Sequence, residues 1–143
     1  MNRALLDINV LIALLDLDHS HHREARRWLE LEAVHGWASC PITQNGCVRI
    51  MSQQAYPNPL PAPAVIARLR SATRTPAHQF WQDNIELLDE SRIHSDRVHG
   101  PKQVTDIYLL ALATEYGGRF VTFDRRVPIS AVPSARKQHL CVI

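Results

Sequence analysis

Asp7 in ALLDINVLIALL, Asp106 in QVTDIYLLALA and Asp124 in FVTFDRR each stand where an apolar run should meet a loop or where a helix should begin. Aspartate is a poor strand former, and an unpaired carboxylate ending an apolar run is costly to bury, so each belongs at a solvent-facing strand end. In open parallel α/β sheets those carboxyl ends are where ligands bind. Three carboxylates delivered there from distant segments resemble a cage for a hard cation held through oxygen. Such a cation suits phosphodiester hydrolysis: it provides the attacking hydroxide and neutralises charge on the phosphate, and no protein nucleophile is needed. Clustered without the ion, the carboxylates should raise one another's pKa values.

The elements that must position these residues follow from the pattern of apolar positions. Ala4 to Leu6 reads as a strand ending at Asp7, and Val10, Leu11, Leu14 and Leu15 then recur at helical spacing. Ser20 is the expected cap of a second helix running to about Glu32, with Ala25, Trp28, Leu29 and Leu31 on its apolar face and Gly36 ending the unit. Trp37 to Cys40 is expected as a second strand and Pro41 to Gln54 as a helix. The proline-rich YPNPLPAPA marks a loop before a helix over Ala64 to Thr73. A third strand is expected over Ile85 to Leu88 and partial helix over Glu90 to Val98. HGPK then breaks the chain, and Thr105 is the expected cap of a helix from Asp106 to Tyr116, stopped by Gly117 and Gly118. Phe120 to Thr122 and Leu140 to Ile143 are the last strands. Strands alternating with helices imply an α/β fold with a covered parallel sheet and right-handed crossovers.

The 143 residues, 45% hydrophobic, fit one domain spanning 1–143. The apolar run VLIALL is too short to span a bilayer and no basic leader precedes it, so no membrane partner and a cytoplasmic location are expected. Cys40, Cys47 and Cys141 are odd in number and lack metal-ligand spacing, so they read as small buried hydrophobes. Fourteen of the sixteen basic residues are arginines, which permits a phosphate-bearing partner. Arg49, Arg68, Arg70, Arg74 and Lys102 would suit an RNA groove or, more plainly, the wet faces of helices. Phe80 and Trp81 would suit base stacking or core packing. The histidines of DLDHSHHREA match no defined metal-site spacing and read as solvated or structural.

LLDINVLIALL, CPITQNGCVRI, QVTDIYLLALA and GGRFVTFDRR, in that order and spacing over essentially the whole chain, resemble the PIN-domain ribonucleases and, within them, the VapC toxins of bacterial toxin–antitoxin pairs. The resemblance implies a PIN-like three-layer fold, with a short parallel sheet flanked by helices. It also implies an endoribonuclease that uses Mg²⁺ or Mn²⁺, acts on RNA, forms homodimers and is held inactive by a cognate VapB-like antitoxin. Residue by residue, Asp7 matches the family's first aspartate, Asn9 the small polar residue two further on, Asp106 the helix-start aspartate and Asp124 the one after the late strand. Many PIN domains carry a glutamate on the helix after the second strand. TQNGCVRI has none, and Gly46 or Asn45 takes the aligned place. Asp7, Asp106 and Asp124 are thus the expected metal ligands, with Asn45 a fourth, uncharged member of the catalytic set.

Blander readings remain for the single residues. Asp106 also suits a helix N-terminus through the dipole, and Asp124 also suits a turn. Two rival functions follow: a PIN-like module that binds without cutting, given the missing glutamate, and a phospho-acceptor receiver domain, for which the required late lysine is out of place.

Overall fold

The computed structural model describes residues 2–143. Strand β1 (Ala4–Leu6) lies at the centre of a five-stranded sheet with β2 (Trp37–Ser39), β3 (His78–Phe80), β4 (Arg119–Thr122) and β5 (Leu140–Val142). The strand order is β3-β2-β1-β4-β5 and every neighbouring pair is parallel. Five helices connect and cover it: α1 (Ile8–Leu15), α2 (His22–Glu32), α3 (Pro41–Met51), α4 (Ala62–Thr73) and α5 (Val104–Glu115).

Alternation along the strands divides the core in two, because successive side chains point to opposite faces. Leu5, Ala38 and Phe120 face one cluster with the buried residues of α5, while Ala4, Leu6, Trp37 and Val121 face another with residues from α1 to α4. The result is the expected three-layer α/β arrangement. Helix α5 is buried without interruption from Ile107 to Ala113. A helix apolar all round needs cover on every side. The sheet provides one wall, and Trp81, Ile85, Ile93, Val127 and Val132 from two long loops provide the others.

Local chemistry sets the element ends. The Asp7 carboxylate caps α1 by accepting from the Ile8 amide at 2.7 Å. Pro41 opens α3, where its missing N–H is no loss, and Thr43 Oγ1 accepts from the Cys40 amide at 2.9 Å. After α5 the backbone turns left-handed at Gly117 (φ 67°), and the Gly118 amide donates back to the Ala113 carbonyl at 2.8 Å.

Several expected boundaries move. The third strand is His78–Phe80 and not Ile85 to Leu88. The Ile85 carbonyl instead accepts the Tyr108 hydroxyl at 2.8 Å, so the apolar 85–88 segment is a flap over α5, with Ile85 buried and Leu88 exposed. Helix α2 begins at His22, not Ser20, and no side chain caps it; His22 Nδ1 is hydrogen bonded to the Ala13 carbonyl at 2.7 Å, tying that start to α1. Helix α3 stops at Met51, where the Ser52 hydroxyl donates to the Val48 carbonyl at 2.7 Å. Helix α4 begins two residues early because Pro63 is tolerated in a first turn. Helix α5 begins at Val104, which places Thr105 inside the first turn rather than at the cap.

Among the described residues no helix is long and apolar enough to cross a membrane. Cys40 and Cys47 are buried and all three cysteines are free. Burial pushes the Cys47 thiol up to about 12, so it stays protonated and unreactive.

Candidate active site

Strand β1 has β2 on one side and β4 on the other, so the strand order reverses between β1 and β4 and a crevice opens beyond their carboxyl ends. Asp7 directly follows β1 there. Its amide donates to the Val121 carbonyl at 2.9 Å, continuing the ladder with β4. The side chain is 5% exposed. One carboxylate oxygen accepts from the Ile8 amide, and the other accepts the Thr122 hydroxyl at 2.6 Å. That hydroxyl in turn accepts the Asp124 amide at 3.1 Å, so the last residue of β4 links the loop bearing Asp124 to Asp7.

Asp124 Oδ1 accepts from the Arg126 amide at 2.8 Å and from its guanidinium Nε at 3.2 Å. Asp106 comes from a third direction, the first turn of α5, with its side chain half-buried. It shares a cleft of about 300 Å³ with Asp124, whose other walls include His99, Lys102, Gln103 and Arg126.

The three carboxylates differ in proton affinity. Burial raises Asp7 above the usual carboxylate range, while its bonds from Thr122 and Ile8 pull it back. Asp106 is pushed up to about 7, first by burial and then by the charges of Asp7 and Asp124, with Arg126 opposing. Asp124 is held below the usual range by its hydrogen bonds from Arg126. Near neutral pH the site therefore has an ionised Asp124 beside an Asp106 that is only partly ionised.

Asp7, Asp106 and Asp124 thus come together from three distant segments, within reach of one another's charge. Among the described residues no three His, Cys, Asp or Glu side chains stand gathered as a ready cage for a metal ion. Asn9 is exposed on α1. Asn45 is also exposed and lines a separate groove between α3 and α4. Gly46 packs directly on α1: a Cβ built there would stand 2.5 Å from Ile8 Cδ1 and 3.0 Å from Cγ1, so a side chain at 46 would have to move Ile8. In the histidine-rich segment His21 Nδ1 meets Glu24 at 2.8 Å, and the His21 ring lies 4.9 Å from that of Phe123, the neighbour of Asp124. Phe80 is exposed at the sheet edge, while Trp81 is buried and stacks on Tyr116 at 4.4 Å.

Sequence reasoning missed Thr122, although a signal was present: a hydroxyl two residues before Asp124, at the inward position of a wholly buried strand. It also passed over His99. Nothing periodic marks a loop residue as the wall of a cleft.

The PIN domain family model matches residues 4–133. The chain is 53% identical over 141 residues to Ribonuclease VapC44 of Mycobacterium tuberculosis, covering 99% of each chain. It is 45% identical over 129 residues to Ribonuclease VapC39 of the same organism, covering 90% of this chain and 93% of that one. The solved structure of M. tuberculosis VapC20, described as a Sarcin-Ricin loop cleaving toxin, superposes with a TM-score of 0.61. At 13% identity, over 93% of this chain and 98% of that one, it speaks for the fold. With a matching family model, near full-length relatives and carboxylates meeting at the sheet's switch point, the chain belongs to the PIN-domain family, among the VapC ribonuclease toxins.

Proposed function

We propose that this chain, as one PIN domain over residues 1–143, is a Mg²⁺- or Mn²⁺-dependent endoribonuclease whose ion is held by Asp7, Asp106 and Asp124. The observation that carries the reading is the placement of the three: Asp106 and Asp124 share one cleft, and Thr122 joins the loop of Asp124 to Asp7. Carboxylates that repel one another across a cleft form an all-oxygen donor set. Mg²⁺ is commonly bound through one or two carboxylates with waters and substrate phosphate completing its shell, so the donor set fits without a closed protein cage. When bound, such an ion activates water as the nucleophile and neutralises charge on the phosphate.

The chain's own residues prepare that chemistry. Thr122 and the Ile8 amide hold the Asp7 carboxylate in one orientation. Asp106 must release its residual proton to become a full ligand. Lys102 and Arg126, on the cleft walls, offer positive charge where a phosphate would enter. Asn45, exposed and outside that cleft, contacts RNA in this reading and not the ion.

The same reading supplies the regulation. In the cytoplasm a homodimer of this chain is covered by a cognate VapB-like antitoxin, which places a basic side chain among the carboxylates in place of the ion's charge.

Millimolar Mn²⁺ or Mg²⁺ should raise the melting temperature of the purified chain and switch on cleavage of single-stranded RNA. Asp106→Asn should abolish most of both effects. A melting curve indifferent to either ion, together with intact RNA, would sink the metal-dependent reading. Co-purification with the product of the adjacent gene, followed by cleavage assays across a Mg²⁺ titration, tests the antitoxin: the complex should cut more slowly and recover as the ion increases.

A further inference from the structure

The charge of this chain is unevenly placed. From Ala33 to Gln82 there is no aspartate or glutamate, whereas the same fifty residues hold Arg49, Arg68, Arg70 and Arg74. That stretch carries +4 and the remainder −2, in a chain whose total is +2. It folds into β2, α3, α4 and β3, so that side of the molecule carries no carboxylate of its own, and Asp16 and Glu30 approach it from the neighbouring α1–α2 segment, at Tyr56 and beside Ala72 and Thr75. On that side α3 and α4 enclose a groove of about 770 Å³, larger than the cleft of the carboxylates. Gln44, Asn45, Arg49 and Ser52 line one wall and Arg70 and Thr73 the other. Arg49 and Arg70 are exposed, and among the described residues no carboxylate ties either guanidinium.

The groove also leads toward the aspartates. Gln44 lies in the first turns of α3 and donates to Ser39 Oγ at 3.0 Å, at the carboxyl end of β2, on the same sheet edge as Asp7. Two residues on, Gly46 lets α3 rest against Ile8, the neighbour of Asp7. The head of the groove is therefore one packed contact away from the carboxylates.

We infer that the α3–α4 groove carries the phosphate backbone of the single-stranded RNA flanking the scissile bond, with Arg49 and Arg70 each contacting a phosphate and Gln44 and Asn45 guiding the strand toward the aspartates. This inference rests on the ribonuclease reading. Guanidinium groups pair with phosphate bidentately, and the amide and hydroxyl groups lining the walls bond sugar or phosphate without regard to sequence. The +4 carried by residues 33–82 draws the strand to this groove, whereas the remainder, at −2, gives it no net attraction.

The test is anisotropy of a short, labelled, unstructured RNA bound to the full chain, with every variant built on an Asp106→Asn background so that the RNA survives the titration. Arg49→Gln/Arg70→Gln should weaken binding about tenfold or more at low salt, and should flatten the slope of log affinity against log salt by roughly 1.4, at about 0.7 per lost single-strand phosphate contact. Arg49→Lys/Arg70→Lys should keep most of the slope. Arg23→Gln/Arg27→Gln on the exposed face of α2 should change little. An unchanged slope in the first pair, or an equal loss in the α2 pair, overturns the groove assignment. So does loss of antitoxin binding by the Arg49/Arg70 pair with RNA affinity intact, which would make the groove a protein-docking surface. Cleavage of the same RNA by the unaltered chain tests the ribonuclease reading separately.

Discussion

The hydroxyl of Thr122 donates to Asp7 and accepts from the Asp124 amide, so a single side chain fixes one carboxylate and the loop of another. Thr122→Val keeps the shape but leaves a buried carboxylate short of a donor, which should destabilise the chain by about 1–3 kcal/mol. Cleavage should fall with it, and Thr122→Ser should restore both, as urea titration and RNA assays would show. Full activity in the valine variant would mean that Asp7 needs no orienting partner. A second consequence concerns pH. Asp106 is pushed from 3.8 up to about 7, so between those values the metal-free folded chain holds more protons than the unfolded one. Stability must therefore decline as pH rises from about 4 to about 7 and level off above, and the raised Asp7 acts in the same direction. Asp124, held low by Arg126, contributes in the opposite sense, with stability that is lost only on acidification below the usual carboxylate range. Asp106→Asn should flatten the decline across pH 4 to 7 in metal-free melting curves, and an unchanged profile would show that Asp106 does not carry it.

At the scale of elements, α3 approaches α1 through Gly46, with no Cβ between the helix and Ile8. Alanine is a better helix former than glycine by up to about 1 kcal/mol, but overpacking costs about 1–3 kcal/mol, so Gly46→Ala should be a net loss. Ile8→Val removes the Cδ1 that the new methyl would strike. A double-mutant cycle should show the pair less damaged than the two single changes predict, whereas additive effects would mean that the helices separate freely. The same contact means that any side chain at position 46 must displace Ile8, the neighbour of Asp7. The start of α3 at Pro41 was legible, its end three residues early was not, and nothing in the sequence told which of its faces would meet Ile8.

Across the whole molecule, the parallel α/β order was readable because β1, β2 and β4 are fully buried around apolar centres and because each aspartate interrupts an apolar run. The missed strand had the opposite character. His78–Phe80 is an edge strand held by backbone pairing to β2, mostly exposed, and without an apolar pattern to betray it. The 85–88 segment misled because Ile85 is buried against α5, while Leu87 and Leu88 are exposed apolar residues that read in sequence like a strand. Asp7, Asp106 and Asp124 were legible from their places at element ends, while Thr122 and the cleft walls depend on which loops fold over the carboxyl edge.

Helix α5 carries Asp106 in its first turn and is enclosed from Ile107 to Ala113. Amides of such a segment exchange hydrogen with solvent only when the whole domain opens, whereas the loop tips should exchange through local fluctuations. Mass spectrometry after deuterium labelling should give 107–113 the highest protection in the chain, equal to the global unfolding free energy. A protease or unfoldase that reaches α5 beyond its first turn must then unravel the whole domain, since residues 107–113 have no partly open form of their own.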